Sequence, residues 1–161
     1  MRTCLTVCVF LALATVTASA QTADASPKPL SDSDIQLLRS DVQAGKNHII
    51  SDTMQFTDKE SEAFWPVYRD YAHDQQVIGD ERVQLIKDYI QSYDSLDDTK
   101  ARDMVQRMLN IEDKTVNLRE DYWPRFVKAL GAKRAAKYYQ VDNRLNLIIS
   151  VQLTSAIPLI P

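Results

Sequence analysis

Apolar residues recur along this chain at three- and four-residue intervals over long stretches, and those stretches define its elements. Ile35, Leu38, Val42 and Ile49 share one helical face and predict a first helix over 33–51, with Ser31 or Ser33 as its cap and Gly45 as its weak point. Thr57-Asp58-Lys59-Glu60 has the pattern of a capping box. The Thr57 hydroxyl accepts from the Glu60 N–H while the Glu60 carboxylate reaches back to the Thr57 N–H, so a second helix is expected to start at Asp58. Its apolar face runs through Phe64, Val67, Tyr68, Tyr71, Ile78, Leu85, Ile86, Tyr89 and Ile90 to Tyr93. A stripe of that length and width demands other helices to cover it. Pro66 interrupts it, and the missing N–H predicts a kink or a fresh start there.

The acidic turn over 92–99 places capping carboxylates before a third helix, where the macrodipole favours negative charge. That helix is expected over 98–129, with Met104, Met108, Ile111, Leu118, Tyr122 and Phe126 on its buried face and Gly131 as its stop. A fourth follows over 132–156 on Ala135, Tyr138, Tyr139, Val141, Leu145, Ile148, Ile149, Val151 and Leu153, and Pro158 ends it. Three glycines in the whole chain leave little room for the turns of an all-β fold. The fold class is therefore all-α. Long helices joined by short connections pack antiparallel, which gives a helical hairpin with two flanking helices.

The first twenty residues break this pattern: Arg2, an apolar run over 4–16 and the small-residue ending Ala18-Ser19-Ala20 describe a signal peptide cleaved after Ala20. The run is shorter than the roughly 20 residues a membrane span needs. The expected organisation is a signal peptide over 1–20, a disordered leader over 21–31, a helical domain over 32–157 and a C-terminal tail over 158–161. The protein is then periplasmic or secreted. Both cysteines, Cys4 and Cys8, fall in the removed segment, so the mature chain makes no disulfide or thiolate metal site and depends on packing.

A net charge of -3 is too slight to point to a nucleic-acid partner, but its distribution is uneven. Residues 21–98 carry 7 Lys and Arg against 16 Asp and Glu, whereas 99–161 carry 11 against 6. The halves should attract, within one chain or between two. Catalysis finds little support. The only histidines are His48 and His73; the Asp70, His73 and Asp74 face reads as a solvated polar surface rather than a metal site. No serine sits in a Gly-x-Ser-x-Gly elbow and no glycine loop suits a phosphate. Carboxylate pairs such as Asp97/Asp98, Glu112/Asp113 and Glu120/Asp121 read as exposed or capping groups. The chain is not expected to be an enzyme or to carry a cofactor.

Two internal echoes remain. Phe56-Thr57-x-x-Glu60-x-x-x-Phe64-Trp65 aligns with Leu130-Gly131-x-x-Arg134-x-x-x-Tyr138-Tyr139, and Phe64-Trp65-Pro66-x-Tyr68 with Tyr122-Trp123-Pro124-x-Phe126. These segments, together with the two long helices, resemble the LTxxQ-motif periplasmic proteins of the Spy and CpxP type over about 33–156. Phe56 stands for the motif leucine and Glu60 for its glutamine; the second copy has Gly131 for threonine and Arg134 for glutamine. The resemblance implies a curved four-helix cradle, usually an antiparallel homodimer, that acts as an ATP-independent chaperone or an envelope-stress adaptor. It implies binding to unfolded or envelope proteins, with a signalling partner as a further contact. Metal-responsive sensors share the fold and supply the alternative function; a structural oligomerisation module is the other.

The aromatics admit two readings, a core or a client-binding surface. On the second, the partner-binding residues are Phe64, Trp65, Tyr68, Trp123 and Tyr138 with Arg119 and Arg125. Arg102, Arg107, Lys114 and Lys128 extend the expected basic rim.

Overall fold

The computed structural model describes residues 32–155 and 157–160, with side chains from Val42 onward. The expected signal peptide, cleavage site and leader, and the expected caps at Ser31 and Ser33, lie outside the described residues or side chains. Four helices follow one another: α1 (Asp32–Met54), α2 (Asp58–Ser92), α3 (Asp98–Leu130) and α4 (Ala132–Ser155), with a 3-10 turn at Tyr93–Ser95. Among the described residues no strand occurs, and no helix is long and apolar enough to cross a membrane.

Local chemistry explains the boundaries. The capping box forms: Thr57 N–H donates to Glu60 Oε2 at 2.9 Å and Glu60 N–H to Thr57 Oγ1 at 3.3 Å. Asp97 caps α3 by accepting from the Lys100 N–H at 2.8 Å. Gly131, at φ +76°, ends α3 and turns the chain into α4, a conformation that favours glycine. The first helix runs to Met54, past the expected end at 51, because Met54 is fully buried and cations from α4 hold its last carbonyls. Arg134 Nη2 donates to Met54 O at 2.8 Å and Lys137 Nζ to Thr53 O at 2.6 Å. Positive charge belongs at that helix end. Pro66 does not restart α2, and Pro124 lies within α3 in the same way. Both prolines face solvent, where water serves the backbone acceptor that each leaves unpaired.

Helices α2 and α3 are antiparallel, as their partners show: Asp88 with Arg107 at 2.8 Å, Glu81 with Lys114 at 2.6 Å, Asp74 with Tyr122 at 2.6 Å, and Phe64 against Phe126. The acidic half of the sequence thus meets the basic half within one chain. Helix α4 folds back on α3, and α1 lies along α4. All four contribute to one core: Ile50 and Met54; Phe64, Tyr68 and Tyr71; Tyr122, Phe126 and Leu130; Ala135, Tyr138 and Val141. The Phe64 ring sits among Phe56, Tyr138 and Phe126 at 4.5, 4.9 and 5.6 Å. Farther along α2 and α3, Leu85 and Ile111 are buried outside that cluster. The tail after α4 returns to the end of α2 and the 3-10 turn, where Tyr89 and Tyr93 donate to the carbonyls of Pro158 and Leu159 at 2.8 and 3.1 Å.

Candidate functional site

The aromatic residues expected to bind a partner separate into two groups. Phe64, Tyr68 and Tyr138 are 0, 2 and 3% exposed, so the surface expectation for these three is corrected: they are core, because four helices converge on them. Trp123 stays accessible and meets Tyr139 edge-on at 6.4 Å; Trp65 is half-buried. Of the expected basic rim, Arg107 and Lys114 are engaged by Asp88 and Glu81, and Arg125 lies over the Tyr122 ring at 4.4 Å. Arg119 lies 6.0 Å from the ring centre of the exposed Tyr139. It is half-buried with its Nε fully covered, and it lines one small pocket together with Tyr71 and Asp142. The exposed residues without such engagements are Arg102 and Lys128.

A polar knot lies beneath, at the meeting of α1, α2 and α4. Lys46 and Asp142 are the two buried charged residues among those described, with Nζ and Oδ1 3.4 Å apart in an ion pair that lacks hydrogen-bond alignment. Tyr71 donates to Asp142 Oδ2 at 2.9 Å, and Asn146 Nδ2 donates to the same oxygen at 2.9 Å. Lys46 Nζ also donates to Gln75 Oε1 at 3.0 Å and to Asn146 Oδ1 at 3.2 Å. Desolvating two ions costs several kcal/mol each, about what pairing and these hydrogen bonds restore. The knot ties α1 to α2 and α4 and adds little net stability. Burial, reinforced by the Asp142 charge, drives the Tyr71 and Tyr138 hydroxyls well above the ordinary tyrosine range. Burial raises Tyr68 to about 12, against the bond it accepts from Gln43. Burial and donation to Asp74 raise Tyr122 to about 12.

Two features face solvent. A cleft of about 420 Å³ opens between α1 and α2, lined by Gln43, Asn47, Trp65, Tyr68, Arg69, Ala72, His73 and Gln76. It exists because α1 leans on α4 and spans to α2 only through side chains such as Gln43, which donates to the Tyr68 hydroxyl at 3.0 Å. The second is a row on α3. Val105, Leu109, Val116 and Trp123 are 57, 49, 51 and 39% exposed, and their spacing of four, seven and seven sets them in line on one face. Met108 flanks the row, and Leu147, Ile148 and Val151 are exposed on α4.

Periodicity alone could not have located the row, since Met108 and the residues beside it satisfy a buried stripe equally well. The knot was missed because a single Lys and a single Asp carry no sequence signal of burial. Asp74, part of the Asp70/His73/Asp74 face, is taken by the Tyr122 hydroxyl, and no group of three metal-ligating side chains converges among the described residues. The chain matches no family model, no curated protein and no solved structure.

Proposed function

We propose that the mature chain is a periplasmic protein that works by binding other proteins, as an ATP-independent chaperone or envelope-stress adaptor. The observation that carries this reading is the solvent-facing row Val105, Leu109, Val116 and Trp123. Aliphatic side chains left half-exposed in line on a helix are a cost to a monomer and an asset to a binder. Unfolded segments present apolar side chains that such a row can cover, and Arg102 adds attraction for acidic ones.

The α2–α3 pair is the hairpin of the proposed cradle, and a second copy laid antiparallel along the row makes the homodimer. The dimer rests chiefly on the row, because part of the charge asymmetry of the sequence is engaged within one chain in Glu81–Lys114 and Asp88–Arg107. Export rests on the signal-peptide pattern ending at Ala20.

The test is suppression of aggregation of an unrelated denatured protein by the purified mature chain without nucleotide. Protection at a few-fold molar excess supports the reading. Unchanged light scattering across that range rejects it.

A further inference from the structure

We propose that one buried water molecule is a structural ligand of this fold, held by Arg119, Tyr138 and Asp142 where α3 meets α4. Three polar atoms in this region are buried and have no hydrogen-bond partner: Arg119 Nε, the Tyr138 hydroxyl and Asp142 Oδ1. Their residues line one small, partly open pocket of about 10 Å³, which Tyr71, Trp123 and Tyr139 also border. Tyr138 and Asp142 are each 3% exposed, so bulk solvent does not serve them.

Size and the three unpartnered groups select the occupant. A cavity of that volume admits about one water and nothing larger. Arg119 Nε–H only donates, Asp142 Oδ1 only accepts, and the Tyr138 hydroxyl does both. A water there accepts from Arg119, donates to Asp142 and exchanges a third bond with Tyr138, about the usual number for an internal water. A cation is disfavoured by the Arg119 donor and an anion by the Asp142 carboxylate. Leaving all three atoms unpaired is the costly alternative.

The water also completes the surroundings of the buried carboxylate. Asp142 Oδ2 accepts from Tyr71 and Asn146, whereas Oδ1 has only the misaligned Lys46 ammonium at 3.4 Å. With the water in place Oδ1 gains an aligned donor, and α3 joins the knot through Arg119.

The deciding experiment is a crystal structure of the mature protein at a resolution that orders internal solvent, with water-oxygen relaxation dispersion on wild type and Tyr138→Phe. A density peak within hydrogen-bond distance of Arg119 Nε, the Tyr138 hydroxyl and Asp142 Oδ1, without anomalous signal, is the expected result. The phenylalanine variant should lose one long-lived water. The proposal is overturned by direct pairing of Arg119 with Asp142 over a closed cavity, by an anomalous peak, or by an equal number of long-lived waters in the two proteins. The wild-type crystal decides the matter even where the variant does not fold.

Discussion

Arg134 Nε lies 2.5 Å from Glu60 Oε1, and these two residues hold the same place in the two copies of the internal sequence echo. The contact is an ion pair without hydrogen-bond alignment. The next equivalent pair, Phe64 and Tyr138, also meets, with ring centres 4.9 Å apart. The echo is thus a structural device: the start of α2 and the start of α4 face each other through corresponding side chains. Opposite charges at one equivalent position, Glu60 and Arg134, give that meeting a polarity that two identical copies would lack.

Arg134→Ala should be among the more damaging substitutions outside the core. It removes the ion pair, the bond to Met54 O at 2.8 Å and a guanidinium 5.9 Å from the Phe56 ring centre. Hydrogen bonds from charged donors are worth about 1.5–3 kcal/mol, so a loss of about 2 kcal/mol in urea unfolding is expected. The exchange Glu60→Arg with Arg134→Glu should recover only part of it, because a glutamate cannot hold the α1 carbonyls. Full recovery would show that the ion pair acts alone.

The buried pair makes a second prediction. Asp142→Leu leaves the Lys46 ammonium buried without its counter-charge, and such losses run to about 3–5 kcal/mol. Adding Lys46→Met removes the stranded charge and should restore most of the stability. If the double variant is as unstable as the single one, the role of the knot is the hydrogen bonding of Tyr71 and Asn146 rather than charge pairing.

Alkaline unfolding should be steep. Tyr68 stands at about 12 and Tyr71 and Tyr138 are raised well above their ordinary value of 10.0, all in the folded state. Their contribution is complete below pH 10. Above it the unfolded chain releases protons that the folded chain retains, and stability falls as pH rises through the folded values. Each such tyrosine contributes a slope of about 1.4 kcal/mol per pH unit in that window. Circular dichroism titration should show unfolding beginning near pH 10, and Tyr68→Phe should move it upward. A midpoint unaffected by the variant would rule out Tyr68 as a source.

The four helices were legible because their signals are local: the Thr57–Glu60 box, the Asp97 cap and the Gly131 stop each act within a few residues. The end of α1 was not, since the contacts that carry it to Met54 come from far along the chain: Met54 is buried in the core, and Arg134 and Lys137, some eighty residues away, take the last carbonyls. The split of the aromatics into core and surface was equally hidden. Tyr138 and Tyr139 are neighbours in sequence, yet one is 3% and the other 43% exposed, a difference set by where α1 and α2 come to lie. Charge shows the same limit: Arg119 and Arg125 look alike in the sequence, and only packing sets the first, half-buried, on a pocket with Tyr71 and Asp142 and the second across Tyr122.

That difference decides how the binding surface must be probed. Arg119→Glu places a carboxylate beside Tyr71 and Asp142 and should destabilise the domain, so a loss of binding in that variant would say nothing about the surface. Leu109→Glu with Val116→Glu is the informative pair, because both residues are about half-exposed and exposed changes shift stability by under about 0.5 kcal/mol each. The melting curve should be nearly unchanged while protection of an aggregating client drops several-fold and any dimer seen by light scattering dissociates. Arg102→Glu with Lys128→Glu is the companion test of the charged contribution; its effect should be smaller and should vanish in high salt, where exposed charges are screened. Wild-type protection by Leu109→Glu/Val116→Glu, with the fold intact, would remove the α3 row from the binding surface and leave the α1–α2 cleft as the next place to look.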